Sequence, residues 1–451
     1  MNELIVVGGG LAGSEAAWQA AERGIKVKVF EMRPSVETGA HQTEYLAELV
    51  CSNSLGSNLP DRASGLLKTE LHRLHSLLLE IAEQSSLPAG SALAVDRNVF
   101  AQKVTERITT HPNIELIRQE IPAIPNGTTL IASGPLTSPS LSKSIAEFSG
   151  HEHLYFFDAI SPIISANSID MNIAYRASRW DVGDYSDGDY INCPFHNKSE
   201  YQVFVNELRL ANRIKLHDFE LTIENGVTAG DSHFFEGCLP VEIIANRGEK
   251  ALAYGPMRPL GLVDPRVPRP PYAVVQLRQD NLAADLYNMV GFQTNLTFSE
   301  QRRVLRMIPG LENAEFARYG QMHRNTFIAS PKLLNPSLQS RNRKDLFFAG
   351  QITGVEGYLG NIATGLLAGW NAARFLTGKT QIEFPRETML GALCHYVTHA
   401  EMKSFQPMKA NFGLLPSLQT IPAKSTKRDR AEMFATRANS ALDTFLSGIN
   451  E

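Results

Sequence analysis

The stretch "ELIVVGGGLAGSEAAWQAAERGIKVKVFE", residues 3–31, decides the fold. A β-branched run, Leu4–Val7, breaks at Gly8, a helical pattern follows from about Leu11 to Arg23, and a second strand pattern, Val27–Phe30, ends on Glu31. The glycines fall as Gly8-x-Gly10-x-x-Gly13. The first allows a tight turn, the second lets a pyrophosphate approach the backbone, and the third lets helix pack on strand. The helix N-terminus then offers its unpaired N–H groups to the phosphates. Glu31 follows Gly13 by 18 residues, where an acid accepts the ribose hydroxyls. Strand, turn, helix, strand and acid agree on a dinucleotide-binding unit.

The far end selects the dinucleotide. In "KDLFFAGQITGVEGYLGNIATGLLAGWNAARFL", residues 344–376, a strand pattern reaches Gly350, Gln351 and Gly354. A helix from about Asn361 follows, with Ala363, Gly365, Ala368 and Gly369 on its packing surface. The segment resembles the late strand that returns to the flavin chain in flavoproteins of the two-dinucleotide-fold type, with Gln351 in place of their Asp. "GTTLIASGPL", through Gly134, resembles their middle strand-turn motif. Together these favour FAD, and with no second GxGxxG, NAD(P)H would visit the flavin face only transiently.

A chain of 451 residues exceeds one ordinary core, so two domains or one domain with an insertion are expected. The expected fold class is α/β: a discontinuous Rossmann-like FAD-binding domain, residues 1–155 and 325–451, around an inserted α+β domain, 156–324, carrying an antiparallel sheet. Strand patterns are read in "EYQVFVNEL", "KALAYGPM", "YAVVQLRQ" and "LYNMVGFQT". Residues 256–271, crowded with proline, read as a loop, and the last 25 or so as a basic turn and an amphipathic helix.

Four scattered cysteines without zinc spacing point to free thiols in a reducing, cytoplasmic setting. No leader or 18-residue apolar span is visible, so neither a secretory nor a membrane protein is expected. Net charge is −4, which leaves nucleic-acid binding to local basic clusters. The clusters are Arg266 with Arg269, Arg341 with Arg343 and Lys344, and Lys424 with Lys427, Arg428 and Arg430. A solvated surface is the plainer reading of each. Cys238, in "HFFEGCLPVEIIA", reads from the residues alone as a buried apolar thiol or a pocket nucleophile.

Many segments in order resemble one family, the folate- and FAD-dependent tRNA (uracil-5-)-methyltransferases, relatives of the wobble-uridine modification flavoenzymes. They include "CSNSL", "GLLKTE", "PAGSALAVDR", "DYINCPF", "FFEGCLPVE", "YGPMRPLGL", "YAVVQLRQDN", "MHRNTF", "FFAGQITGVEGY" and "FQPMKANFGLL". The resemblance implies methylation of the T-loop uridine of tRNA at C5. Methylenetetrahydrofolate would donate the carbon, reduced FAD would carry it, and NAD(P)H would be the reductant. A related branch acts on ribosomal RNA, and a plain flavin oxidoreductase or an RNA-binding flavoprotein without turnover are the rival readings.

By the same resemblance Cys238 is the thiolate that adds to uracil C6, which makes C5 nucleophilic. Cys51 is a second functional thiol, either the base for the C5 proton or the partner of the flavin adduct. His323, Arg324 and Asn325 are implied near flavin or substrate, and Lys403 and Lys409 near phosphate or folate. Cys193 and Cys394 are read as packing residues. The chain departs from the family pattern at Gly56, at His72 and at Gly360-Asn361, where Arg, Arg and Glu-Ser are usual.

Overall fold

The computed structural model describes residues 3–150, 154–214, 239–267, 269–422 and 424–449, with backbone alone at 154–158 and 322–324. A five-stranded parallel sheet has the order 346–348, 129–131, 3–7, 26–30, 114–117. Its register sets Ile5 beside Thr129, Leu346 beside Thr129, and Val27 beside both Leu4 and Ile114. One strand of this sheet thus comes from the far end of the chain. Its apolar core is likewise drawn from both ends, Leu4 to Ala132 and Phe327 to Leu442. The helix Leu11–Ala21 lies against the helix Tyr358–Leu376 at backbone distance. A Cβ on Gly365 would stand 2.3 Å from Ala12 O, and one on Gly369 2.5 Å from Ala16 O. The small residues of the second helix are therefore a packing stripe.

The middle of the chain forms a six-stranded antiparallel sheet, in the order 175–177, 190–195, 273–279, 286–289, 163–165, 316–318. Its own core runs from Ile164 to Ala314. The strands Leu154–Ala159 and Met322–Phe327 pair antiparallel, Leu154 opposite Phe327, where the chain leaves and rejoins the parallel sheet's half. The expected combination of parallel and antiparallel sheets is present.

Two of the strand readings are overturned. "EYQVFVNEL" lies in the helix Lys198–Leu210, capped by the Asn197 side chain, which accepts from Glu200 N. Tyr201, Phe204, Val205 and Leu208 are buried while Val203 is 57% exposed. The burial period is that of a helix, and the apparent alternation of Tyr201, Val203 and Val205 misled. "KALAYGPM" contains the short helix Ala251–Tyr254. "YAVVQLRQ" and "LYNMVGFQT" do supply strands, Ala273–Gln279 and Leu286–Met289. The C-terminal amphipathic helix spans Lys427–Ile449 and buries Ala431, Ala435, Ala438 and Leu442.

A buried carboxylate ties the helix Ala63–Arg73 to the helix Met389–His399: Glu70 accepts from Met389 N at 2.6 Å and Leu390 N at 2.9 Å. Burial pushes its pKa up to about 7, against those two N–H groups and Arg73. The native state thus keeps a proton that the unfolded chain, near 4.5, releases. This contribution is full below about pH 4.5 and is lost as pH rises through about 7. Chemical denaturation between pH 5 and 8 should show stability falling with pH by up to about 3 kcal/mol from this group. In Glu70→Gln that slope should flatten.

Candidate active site

A groove runs along the C-terminal edge of the parallel sheet, lined by Gly8, Gly10, Glu31, Gly134, Gly350 and Gln351 among others. Two glycines of the fingerprint have separable roles. A Cβ on Gly13 would lie 1.8 Å from Gly8 O, so this glycine sets the distance between helix and strand. A Cβ on Gly10 would meet nothing within 4 Å, so the protein leaves that space to a ligand. The helix starts at Leu11 without a side-chain cap, and its first N–H groups remain for an anion.

Glu31 is buried; its Oε2 accepts from Gly9 N at 2.9 Å and its Oε1 from Arg33 N at 3.0 Å and Arg33 Nε at 2.9 Å. Burial opposes ionisation, but the Arg33 hydrogen bonds and charge, with Gly9 N–H, hold its pKa below the usual carboxylate value. It stays an anion with lone pairs left to accept ribose hydroxyls. Gly354 does not line the groove; it turns the chain against the Phe405 ring.

The groove continues into a chamber, sharing with it Val50, Pro135, Leu136, Gln351, Tyr358 and Asn361. Cys51, Asn325 and Lys409 line this chamber. The loop of Cys51 is clamped from several sides. Tyr358 Oη accepts from Cys51 N at 3.0 Å and Ser52 N at 3.1 Å. Arg97 donates to Leu49 O at 3.2 Å and pairs with Asp280 at 2.8 Å. Arg278 donates from Nε to Asn53 Oδ1 at 2.8 Å, and Asn53 Nδ2 donates to Gln279 O at 2.8 Å. The C-terminal end of the strand Ala273–Gln279, with Asp280 just beyond it, thus holds the thiol loop of the parallel sheet's half. Burial pushes the Tyr358 hydroxyl pKa well up, so it stays a neutral phenol.

Asn361 is 7% exposed and its Oδ1 has no hydrogen-bond partner among the described residues. A buried acceptor left open on the wall of both groove and chamber is what a ring or amide donor of a bound group would satisfy. Open space at Gly10, an ionised Glu31 and this unsatisfied acceptor fit FAD laid from groove to chamber.

Cys238 lies outside the described residues. The chain just after it is placed: Val241 N donates to Gln293 O at 2.7 Å, and Gln293 lines the chamber. Glu242, buried, accepts from Thr294 Oγ1 at 2.9 Å and Asn295 N at 2.8 Å, fixing that segment. The side chains of His323 and Arg324 also lie outside the described residues, although their backbone runs in the Met322–Phe327 strand. Lys403 is exposed and away from the cleft linings. Cys193 and Cys394 are fully buried, and burial pushes both thiols up, as packing residues require.

Several arginines of the basic clusters are engaged internally. Arg266 pairs with Asp264 and donates to the carbonyls of Met171, Asn172 and Ile173. Arg343 pairs with Asp345, Arg341 donates to Leu334 O and Thr398 O, and Arg428 pairs with Asp61 and Glu432. Of the family departures, Gly56 and His72 stand off the cleft, His72 bonded to Glu83 at 2.7 Å, whereas Asn361 stands in it. The residues alone do not single out Tyr358, Arg97, Arg278 or Gln293; the signal for the first three is membership of the quoted family segments, and Gln293 stands only in the strand pattern "LYNMVGFQT". Among the described residues no three His, Cys, Asp or Glu side chains gather as metal ligands. No described helix is long and apolar enough to cross a membrane.

Comparison with known proteins agrees with this geometry. Residues 3–380 match the family model described as glucose inhibited division protein A. The methylenetetrahydrofolate--tRNA-(uracil-5-)-methyltransferase TrmFO of an Exiguobacterium species is 52% identical, over 98% of this chain and 99% of the relative. That of Enterococcus faecalis is 53% identical over 98% and 97%. Aquifex aeolicus GidA shares the fold, with a TM-score of 0.65 at 16% identity over 98% of this chain and 73% of that one. The chain therefore belongs to the glucose inhibited division protein A family, within its branch of TrmFO methyltransferases.

Proposed function

We propose that this protein methylates C5 of a uridine in tRNA, the T-loop uridine, using methylenetetrahydrofolate as carbon donor, FAD as carrier and NAD(P)H as reductant. The observation that carries the reading is the union of a dinucleotide groove with a thiol chamber, Cys51 standing where the groove ends. Bound there, reduced FAD supplies the one-carbon relay and the hydride. The groove orients it through the helix N-terminus and Glu31, with Asn361 and Gln351 on the wall.

Cys238 adds as thiolate to uracil C6, which turns C5 into a carbon nucleophile. After the new C–C bond forms, Cys51 takes the C5 proton, and the electron pair left behind would release the one-carbon unit from its carrier. Hydride supplied by the reduced cofactor would complete the methyl group, and the C6–S bond then breaks to return the Cys238 thiolate. Tyr358 and Arg97 hold the Cys51 loop in place for that transfer. Asn325 and Lys409 line the same chamber and serve as polar contacts to folate or uridine. His323 and Arg324 remain in this proposal as contacts to flavin or substrate, and Lys403 as a contact to phosphate or folate. The chain divides at 155/156 and 324/325, a reading supported by the two separate cores and the ribbon between them. Such substrates place the protein in the cytoplasm.

The test is direct. Flavin-loaded protein with NADH, methylenetetrahydrofolate and an unmodified tRNA transcript should produce 5-methyluridine, read by nucleoside mass spectrometry. NADH oxidation without any methylated nucleoside would overturn the proposal in favour of a plain flavin oxidoreductase.

A further inference from the structure

The antiparallel sheet carries a second concavity that the chemistry above does not use. Trp180, Tyr254, Tyr272, Lys250 and Arg258 line it, under a rim of prolines. Trp180 is 63% exposed and Tyr254 75% exposed, so burial does not explain either. The Trp180 backbone is left-handed, φ 61 and ψ 28, a conformation a bulky side chain rarely adopts. Such strain persists only where its surroundings impose it, and it concentrates at ligand sites.

Here the surroundings are specific. Trp180 N donates to Gly261 O at 2.8 Å, and a Cβ on Gly261 would stand 2.6 Å from the indole. Arg179 donates to Arg258 O at 3.0 Å and Gln276 Oε1 at 2.9 Å, and also to Leu260 O, fastening this loop to the strand Ala273–Gln279. The fold holds an indole open to solvent on a fastened platform. Lys250 and Arg258 are exposed, and neither is in an ion pair among the described residues. Asp181 is the one acid in the lining.

Position selects the occupant. Tyr272 precedes the strand whose other end, Arg278 and Gln279, grips the Cys51 loop. Seven residues of extended chain put about 20 Å between the groove and that loop. FAD, folate and NAD(P)H must all meet in the chamber, so none of them occupies this groove while reacting. Among the substrates of the proposed reaction the RNA is the polymer, able to reach this groove while its reacting uridine is in the chamber. Aromatic faces flanked by unpaired cations are the means by which proteins hold unpaired nucleotides.

We propose that this groove is a second RNA contact, in which unpaired bases stack on Trp180 and Tyr254 while Lys250 and Arg258 meet the adjoining phosphates. The inference rests on the proposed tRNA methylation and adds a contact remote from the reacting uridine.

The experiment titrates full-length, flavin-loaded protein with unmodified tRNA transcript at two salt concentrations. Trp180→Ala and Tyr254→Ala should each weaken binding about tenfold. Trp180→Phe should stay near the parent, because a ring remains. A Lys250→Ala/Arg258→Ala variant should lower the slope of log K against log salt by about 1.4. KM for tRNA should rise with kcat unchanged, and flavin spectrum and melting temperature report the fold. If Trp180→Ala fails to fold, Tyr254→Ala decides alone, and parental affinity in it overturns the groove. Parental affinity in both Tyr254→Ala and folded Trp180→Ala overturns the groove alone. A parent that binds no tRNA overturns the methylation reading with it. A proline-rich peptide that fills the groove without competing with tRNA also overturns it.

Discussion

Cys238→Ala is expected to purify yellow, to be reduced by NAD(P)H, and to form no 5-methyluridine, a loss of at least about 10³-fold. The flavin groove is built from other segments, so cofactor content should stay at the parental level. RNA carrying 5-fluorouridine separates the two thiols. Fluorine blocks proton loss from C5, so an enzyme that has added to C6 and transferred carbon stays attached. Cys238→Ala cannot make the C6–S bond and should leave no covalent complex on a denaturing gel. Cys51→Ala should still be trapped, yet turn over far more slowly, because the base proposed for the C5 proton is gone. A trapped Cys238 variant beside an untrapped Cys51 variant would reverse the assignments. The placement of Cys51 at the chamber wall, on a loop held by Tyr358, Arg97 and Asn53, is the physical ground for expecting a local effect.

Gly10→Trp and Gly13→Val are expected to fail in different ways. At Gly10 the space beside the α-carbon is open, so the indole should be accommodated by the apo fold and should occupy the pyrophosphate's approach. The variant should be colourless, with a melting temperature close to that of flavin-stripped parent. At Gly13 a Cβ would stand 1.8 Å from Gly8 O, with no flexible side chain to yield. The helix must then lift from the strand, at a cost of about 3 kcal/mol whether or not flavin is present. Urea denaturation of flavin-stripped protein distinguishes them. A Gly10→Trp variant with parental flavin content would remove this loop from the cofactor site.

The sequence by itself determined the dinucleotide unit, because everything that specifies it is local. A strand, a glycine turn, a helix and a second strand fit within residues 3–31, and the periodicities change where the glycines stand. The packing stripe Gly365–Gly369 was legible for the same reason. Local pattern failed at "EYQVFVNEL", where alternate apolar residues imitate a strand. Whether Val203 faces core or solvent depends on what the helix packs against, and its 57% exposure is a property of the fold.

The basic clusters show the same limit. Arg266 reads as a free cation in sequence, but Asp264 and three carbonyls near residue 172 claim its guanidinium. Only the tertiary structure decided the chamber. Cys51 N reaches Tyr358 across 307 residues, and Arg97 reaches Asp280 across 183. A hydrogen bond spans about 3 Å, and no regularity along the chain encodes which distant group will arrive within it. Sheet order and the return of the chain through the 154–159 and 322–327 ribbon bring those partners together. Asn361, in sequence merely an unexpected amide, acquires meaning only because the fold puts it on the cleft wall with its buried oxygen unpartnered among the described residues.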